Sequence, residues 1–377
     1  MKLVPRCLQY SHSLLEDLTG KQKIRVKPDS VLFRPAVPKS ADFDWGKVEG
    51  MLLGIAIGDA LGITTEGKLP AVRKGRFGEV RNYLPNKYTG RCLGYPSDDT
   101  QLAFWTLEQM IEDGRFDPEK LAIKFSSRRI FGIGNTVKRF IANFKAGAPW
   151  YEAGPESSGN GAVMRIAPML IPSLRAPAPA FLAETALSAM LTHNDTFSIA
   201  SCLSFATMLW ELLDMKQSPE PMWWVEKYLK ETARFELDTT YCPRGGRFAD
   251  YKGKGSTYVD SCTRWAWDNN MPEADACDAW YSGAYLLETM PSVIYILMRH
   301  GNDPEEAIVR AVNDTKDNDS VAAIVGAAVG ALHGRQALPA RWIEGLTGRT
   351  GLDDDGKVFR LLAEAKEVFW DNPRKDD

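Results

Sequence analysis

Tyr95-Pro96-Ser97-Asp98-Asp99-Thr100 places a hydroxyl and two adjacent carboxylates at the head of an apolar-periodic segment containing Leu102, Trp105 and Ile111. Far downstream, Asp317-Asn318-Asp319-Ser320 repeats the combination, again directly before a long apolar stretch. Adjacent acids at a helix start have a structural reading of their own, because short polar side chains cap the first turn and acids favour the positive end of the helix dipole. Two such clusters brought together by folding would do more: they would form an oxygen-only site, which suits hard divalent ions such as Mg²⁺ or Mn²⁺.

The elements that must position these clusters read as helices. Val48, Met51, Leu52, Ile55 and Ala56 follow the i, i+3, i+4, i+7 spacing of an amphipathic helix, which ends in Gly58-Asp59-Ala60-Leu61-Gly62 ahead of Glu66. Asp59 either closes that helix on backbone amides or stands beside a metal. Asp117-Pro118 opens another helix, with proline at the first helical position. Periodicity predicts further helices near 135–146, 161–171, 179–192, 195–214, 220–234, 257–269, 278–299, 304–314, 319–333 and 357–370. Alternating strands and fixed-period repeats are not evident. The expectation is an all-α chain with one large compact multi-helix domain over 44–377.

Residues 1–43 differ. Eight Lys/Arg against four Asp/Glu give them +4, leaving −7 on the rest, and Pro5, Pro28, Pro35 and Pro38 punctuate them. Such composition is poor core material and predicts an N-terminal arm. Val31 and Phe33 are its apolar anchors. With a net charge of only −3, nothing points to nucleic acid. The six cysteines lack C-x-x-C spacing, which fits reduced thiols in a cytoplasmic protein. No signal-peptide pattern or near-18-residue apolar run is read from the chain, so no membrane partner is expected.

Two loops stand out. Ser157-Ser158-Gly159-Asn160-Gly161-Ala162-Val163-Met164-Arg165 is a glycine-rich turn entering a predicted helix, where exposed backbone N–H groups suit phosphate; an ordinary turn has the same pattern. Tyr241 to Ser256 carries four glycines and reads as mobile. His193 follows an apolar helix and serves equally as a helix-end residue or a ligand contact, while Arg165 could be a salt-bridge partner.

In order along the chain, the Gly50–Gly62 helix, Ser97-Asp98-Asp99-Thr100, Gly159–Arg165, Leu191-Thr192-His193, Ser282–Tyr295 and Asp317-Asn318-Asp319-Ser320 resemble the ADP-ribosylglycohydrolase family, which includes the dinitrogenase-reductase-activating glycohydrolase. The resemblance implies an all-α fold, a two-magnesium (or manganese) centre and hydrolysis of an ADP-ribosyl bond, with arginine the preferred acceptor on a modified protein substrate. It implies Ser97, Asp98, Asp99, Asp317, Asp319 and Ser320 as metal ligands. Asp98, Asp319 and Glu66 would be catalytic; Asn160, Gly161, Ala162, Met164 and His193 would line the ADP-ribose site. The arm raises a second function, an immunity protein that blocks an ADP-ribosyltransferase toxin. A catalytically silent relative is the third, and the intact acidic motifs argue against it.

Overall fold

The computed structural model describes residues 6–87, 89–175 and 180–372; the other positions, Pro5 of the arm among them, lie outside the described residues. It is all-α. The helices of the first half are α1 (Arg6–Gly20), α2 (Gly46–Gly62), α3 (Pro70–Phe77), α4 (Asp98–Asp113), α5 (Pro118–Ser127), α6 (Asn135–Lys145) and α7 (Trp150–Ala153). There follow α8 (Phe181–Thr192), α9 (Thr196–Leu212), α10 (Pro221–Phe235), α11 (Gly255–Asp268) and α12 (Glu273–Ala279). The last are α13 (Leu286–His300), α14 (Pro304–Asp314), α15 (Asn318–His333), α16 (Ala340–Gly345) and α17 (Lys357–Lys366). Among the described residues there are isolated β-bridges but no strand.

At the centre, α2 and α15 lie antiparallel in direct backbone contact. Gly50, Gly54, Gly58 and Gly62 recur every fourth residue, so they share one helix face. A Cβ added to Gly54 would stand 2.0 Å from the Gly326 carbonyl oxygen, and one on Gly58 would stand 2.2 Å from that of Ala322. At Gly62 it would meet the Asp319 Cα at 2.4 Å. Removing side chains from this face therefore brings the carboxylate-bearing end of α2 against the carboxylate-bearing start of α15. The stretch Gly46–Thr65 is 20 residues long with hydropathy 1.4, enough by length and composition to cross a membrane, contrary to the sequence expectation; 83% of its apolar window is buried inside the protein.

The arm is the larger departure. Its first part forms α1, and Leu15, Leu18, Ile24, Val26 and Leu32 join the common core. Val31 and Phe33, the expected partner anchors, are half-buried against that same core. The arm's charges are used locally too: Lys23 pairs with Glu152, Arg25 with Glu156, and Asp29 with Arg234. Lys39 is buried, bound to Asp214 at 2.6 Å and to the Trp210 carbonyl at 2.8 Å. The extended stretch is stitched on by Asn194, whose side chain donates to Lys23 O at 2.7 Å and accepts from Arg25 N at 3.1 Å. Proline content was a poor guide because the apolar residues between the prolines are spaced to reach a surface.

Smaller differences have local causes. The predicted helix at 161–171 is two tight 3₁₀ segments, Val163–Arg165 and Ala167–Ser173, since Pro168 and Pro172 cannot donate to an α-helical ladder. The predicted 278–299 helix begins only at Leu286. Before it lies a turn in which Tyr281 (φ 78°) and Ser282 (φ 41°) are both left-handed. The Tyr241–Ser256 loop is pinned rather than loose: Tyr241 and Gly253 bridge each other, and the Tyr241 hydroxyl donates to Asp195 at 2.9 Å.

Candidate active site

Asp59 organises the first cluster. It is fully buried, and its carboxylate accepts the amides of Ser97 (2.8 Å) and Thr100 (3.1 Å) and their hydroxyls at 2.7 and 2.6 Å. It thus caps α4 from a different helix, fixing where Asp98 and Asp99 point. Asp59 binds backbone amides, though those at the start of α4 rather than of its own helix, and its carboxylate lies within 4.8 Å of those of Asp99 and Asp319. A second trio, Glu66, Asp317 and Asp319, meets the same limit, so Asp319 belongs to both.

The Glu66 loop is held by a buried guanidinium. Arg73 donates to Thr65 Oγ1, Asn313 O and Thr315 O at 2.9 Å each, and to Lys68 O at 3.0 Å. Asn318 ties the same loop to α15 through Gly62 O (3.1 Å) and Thr65 Oγ1 (2.9 Å). Asp317 is steadied by Asn160, whose amide donates to it at 2.6 Å and to Thr289 at 3.1 Å.

Six carboxylates thus crowd one place, and among the described residues none of them is ion-paired to Lys or Arg. Burial, then neighbouring carboxylates, push Asp99 and Asp319 well above the ordinary range. Burial followed by Asp59 lifts Asp98 to about 8. Asp59 and Asp317 are raised chiefly by burial; Glu66, an exposed residue at the mouth of the cluster, is shifted up as well, by desolvation and then by Asp317. Asp99 Oδ1 is buried with no hydrogen-bond partner. An oxygen-only donor set, largely buried, partly unpartnered and, among the described residues, without an ion-paired Lys or Arg, fits a divalent metal ion.

The cluster floors a cleft of about 620 Å³. Asp98, Glu66, Asp317, Asp319 and Ser320 reach it; Ser97 and Asp99 are buried behind it, with the Ser97 hydroxyl donating to Asp59 and, at 3.3 Å, to Asp98. Asn160, Gly161, Met164 and His193 line the cleft as expected. Ala162 does not; it is fully buried, immediately before the 3₁₀ turn Val163–Arg165. The loop is closed by pairing with 284–286: Asn160 N donates to Ala284 O at 3.0 Å and Leu286 N to Ser158 O at 2.9 Å. The Asn160 amide is therefore spent within the protein rather than offered to phosphate. His193 lies under the loop, where a Cβ on Gly161 would come within 2.8 Å of its ring. Burial, then Arg165, push it down to about 3, so it is neutral. Arg165 is no salt-bridge partner: it hydrogen-bonds Ser188 and Thr192, fully buried.

Sequence reasoning missed the opposite wall. Gly132, Gly134, Asn135 and Thr136 line the cleft where α6 begins without a side-chain cap, and Gly132 (φ 66°) sits close enough that a Cβ would meet Asp98 Oδ1 at 3.0 Å. The signal was present as Gly132-Ile133-Gly134-Asn135-Thr136, a second glycine-rich turn into a helix. Tyr285 and Arg244 also line the cleft, and no local pattern marks them.

An all-α scaffold thus brings two acidic helix starts together under glycine-rich loops, at the base of one carboxylate-rich cleft. The profile of the ADP-ribosylglycohydrolase family matches residues 40–371, and the chain belongs to that family. It is 27% identical over 95% of its length to the ADP-ribosylarginine hydrolase Tri1 of Serratia proteamaculans, covering 88% of that protein. To the ADP-ribosyl-[dinitrogen reductase] glycohydrolase of Rhodospirillum rubrum it is 26% identical, over 84% of this chain and 95% of that one. The solved structure of an ADP-ribosylglycohydrolase-related protein complex superposes with a TM-score of 0.61 at 25% identity, covering 85% of this chain and 96% of that one. Family membership supports release of ADP-ribose from a modified protein.

Proposed function

We infer that the protein hydrolyses ADP-ribosyl-arginine with the help of two divalent ions, Mg²⁺ or Mn²⁺, held in the carboxylate cluster. The observation that carries this reading is the buried cluster without an internal cation, with Asp319 common to two trios of carboxylates. Asp98, Asp99, Asp317 and Asp319 would hold the ions, assisted by the hydroxyls of Ser97 and Ser320 and by Asp59 and Glu66. When bound, divalent ions supply Lewis acidity, lowering the pKa of water and orienting hydroxyl groups.

The chain's own residues do the rest. The uncapped first-turn amides of α6 suit the diphosphate of ADP-ribose. Met164 and the loop over His193 shape the ribose end. Asp98 and Asp319 align the attacking water, whose oxygen bonds to the anomeric carbon as the carbon–nitrogen bond breaks. Glu66, at the solvent side, would take a proton from the water and pass it to the departing guanidine nitrogen. Arginine is favoured because Glu66 and Asp317 offer negative charge to a guanidinium, and because a relative of similar length is named as an arginine hydrolase. The test is release of arginine and ADP-ribose from ADP-ribosyl-arginine; release from a serine or cysteine conjugate instead would overturn the acceptor assignment.

A further inference from the structure

A second hollow of about 560 Å³ adjoins the cleft and shares Glu66, Arg244, Ala284 and Asp317 with it. The 132–136 and 157–161 walls belong to the first cleft alone, while Gly245 and Gly246 of the 241–256 loop line this hollow. The carboxylates of Glu66 and Asp317 therefore stand at a junction, with the nucleotide side on one hand and an open groove on the other. The groove's outer wall holds two cations in different states. Arg244 is neutralised, donating twice to the buried carboxylate of Glu288 at 2.7 and 2.5 Å. Lys316 has no carboxylate partner among the described residues; its ammonium lies 3.7 Å from the centre of the Tyr281 ring and hydrogen-bonds the Tyr281 hydroxyl.

Tyr281 is itself unusual. It is a large aromatic residue 40% exposed, displayed from the turn where two consecutive non-glycine residues are left-handed. Such backbone strain persists where surrounding structure enforces it, and it clusters at ligand sites. Here the enforcing contacts are visible: Ser282 O accepts the amides of Lys316 (3.2 Å) and Asp317 (3.0 Å), so the exposed rim and the acidic cluster are locked together.

Resting on the hydrolase reading above, we propose that this groove seats the polypeptide around the modified arginine of the target protein, with Tyr281 packing against it and Lys316 pairing with an acidic side chain beside the modified residue. Selection of an acidic neighbour would come from a rim charge, which tunes specificity more than raw affinity.

The test compares kcat/KM of the full-length, metal-supplied protein on ADP-ribosyl-arginine and on two ADP-ribosylated peptides, with Asp or Asn beside the modified arginine. Wild type should favour the Asp peptide. Lys316→Glu should lower kcat/KM on that peptide about fivefold, through KM, and reverse the preference, while changing ADP-ribosyl-arginine turnover by less than about twofold, as expected for an exposed ion pair. Tyr281→Ala should weaken both peptides and spare the small substrate. Equal losses on all three substrates would mean that the rim acts only through Asp317, and unchanged ratios would mean that the groove is bystander surface; either overturns the proposal. Failure of the hydrolase reading looks different, as wild type would then turn over none of the three.

Discussion

Helix α4 carries two buried acidic sites that have opposite surroundings. At its start, Asp98 and Asp99 join four more carboxylates with, among the described residues, no lysine or arginine paired to any of them. Two and a half turns on, Glu108 receives Lys124 (2.9 Å), Arg128 (2.6 Å) and Lys357. Burial alone would raise Glu108, but these cations outweigh it and hold the group down at about 2. One helix thus shows what a completed internal ion network looks like and what an uncompleted one looks like. The first is structure. The second is a charge deficit kept in place by Asp59, Arg73 and the α2–α15 glycine face, and a deficit maintained by that much scaffolding is best understood as a receptor for an external cation.

The comparison predicts opposite mutational signatures. Asp319→Asn should reduce ADP-ribose release by about a thousandfold, the loss of several kcal/mol of transition-state stabilisation. The same change should not lower the melting temperature in chelator, because it removes repulsion. Glu108→Ala should do the reverse: leave the buried Lys124 with Glu112 as its one remaining carboxylate among the described residues, cost about 3 kcal/mol of stability, and leave turnover per folded molecule unaltered. Chemical denaturation alongside steady-state kinetics checks both; a large stability loss in Asp319→Asn would remove the distinction.

Next in size is the scaffold. Gly54→Ala puts a methyl into the Gly326 carbonyl and should cost about 2–3 kcal/mol by overpacking, lowering divalent-ion affinity as the two clusters part. Gly161→Val should weaken ADP-ribose binding about tenfold with little change in stability, by pushing the loop off His193; calorimetry with ADP-ribose reads it, and unchanged affinity would remove the loop from the site.

The smallest effect concerns the arm. Burial lifts Glu184 to about 7, with Ser11 of α1 bonded to one of its oxygens and the other left unpartnered. Because the folded state holds this proton more tightly than the unfolded chain, the stabilisation is complete below about pH 4.5 and lost as pH rises through about 7. Glu108, shifted the other way, loses its contribution only as pH falls toward 2. Amide exchange in α1, corrected for intrinsic rate, should therefore be several-fold faster at pH 8.5 than at 5.5, and Glu184→Gln should flatten the difference.

Much of this was legible in the sequence. Hydroxyl–acid–acid and acid–x–acid–hydroxyl patterns at two helix starts locate the cluster, since helix ends are where such residues also do local work. The four-residue glycine spacing of α2 was visible as well, although its partner on α15 is only apparent once Gly326 and Gly330 face it. Asp59 could not be assigned to capping α4, nor Arg244 and Tyr285 to the cleft, because those contacts join segments far apart in sequence. The 161–171 stretch was read as one helix because its apolar residues are close together, whereas Pro168 and Pro172 break it into 3₁₀ turns. In the arm, the alternation of Ile24, Val26, Val31 and Phe33 suited an extended stretch lying against something, but that this surface is the chain's own core depends on contacts with segments far along the chain.

If the carboxylate cluster holds the divalent ions on which ADP-ribose release depends, that release from an ADP-ribosyl-arginine protein should stop after exhaustive chelation and resume when Mg²⁺ or Mn²⁺ is restored. Wild type should recover with either ion and Asp319→Asn with neither; undiminished release in excess chelator would rule out a metal requirement.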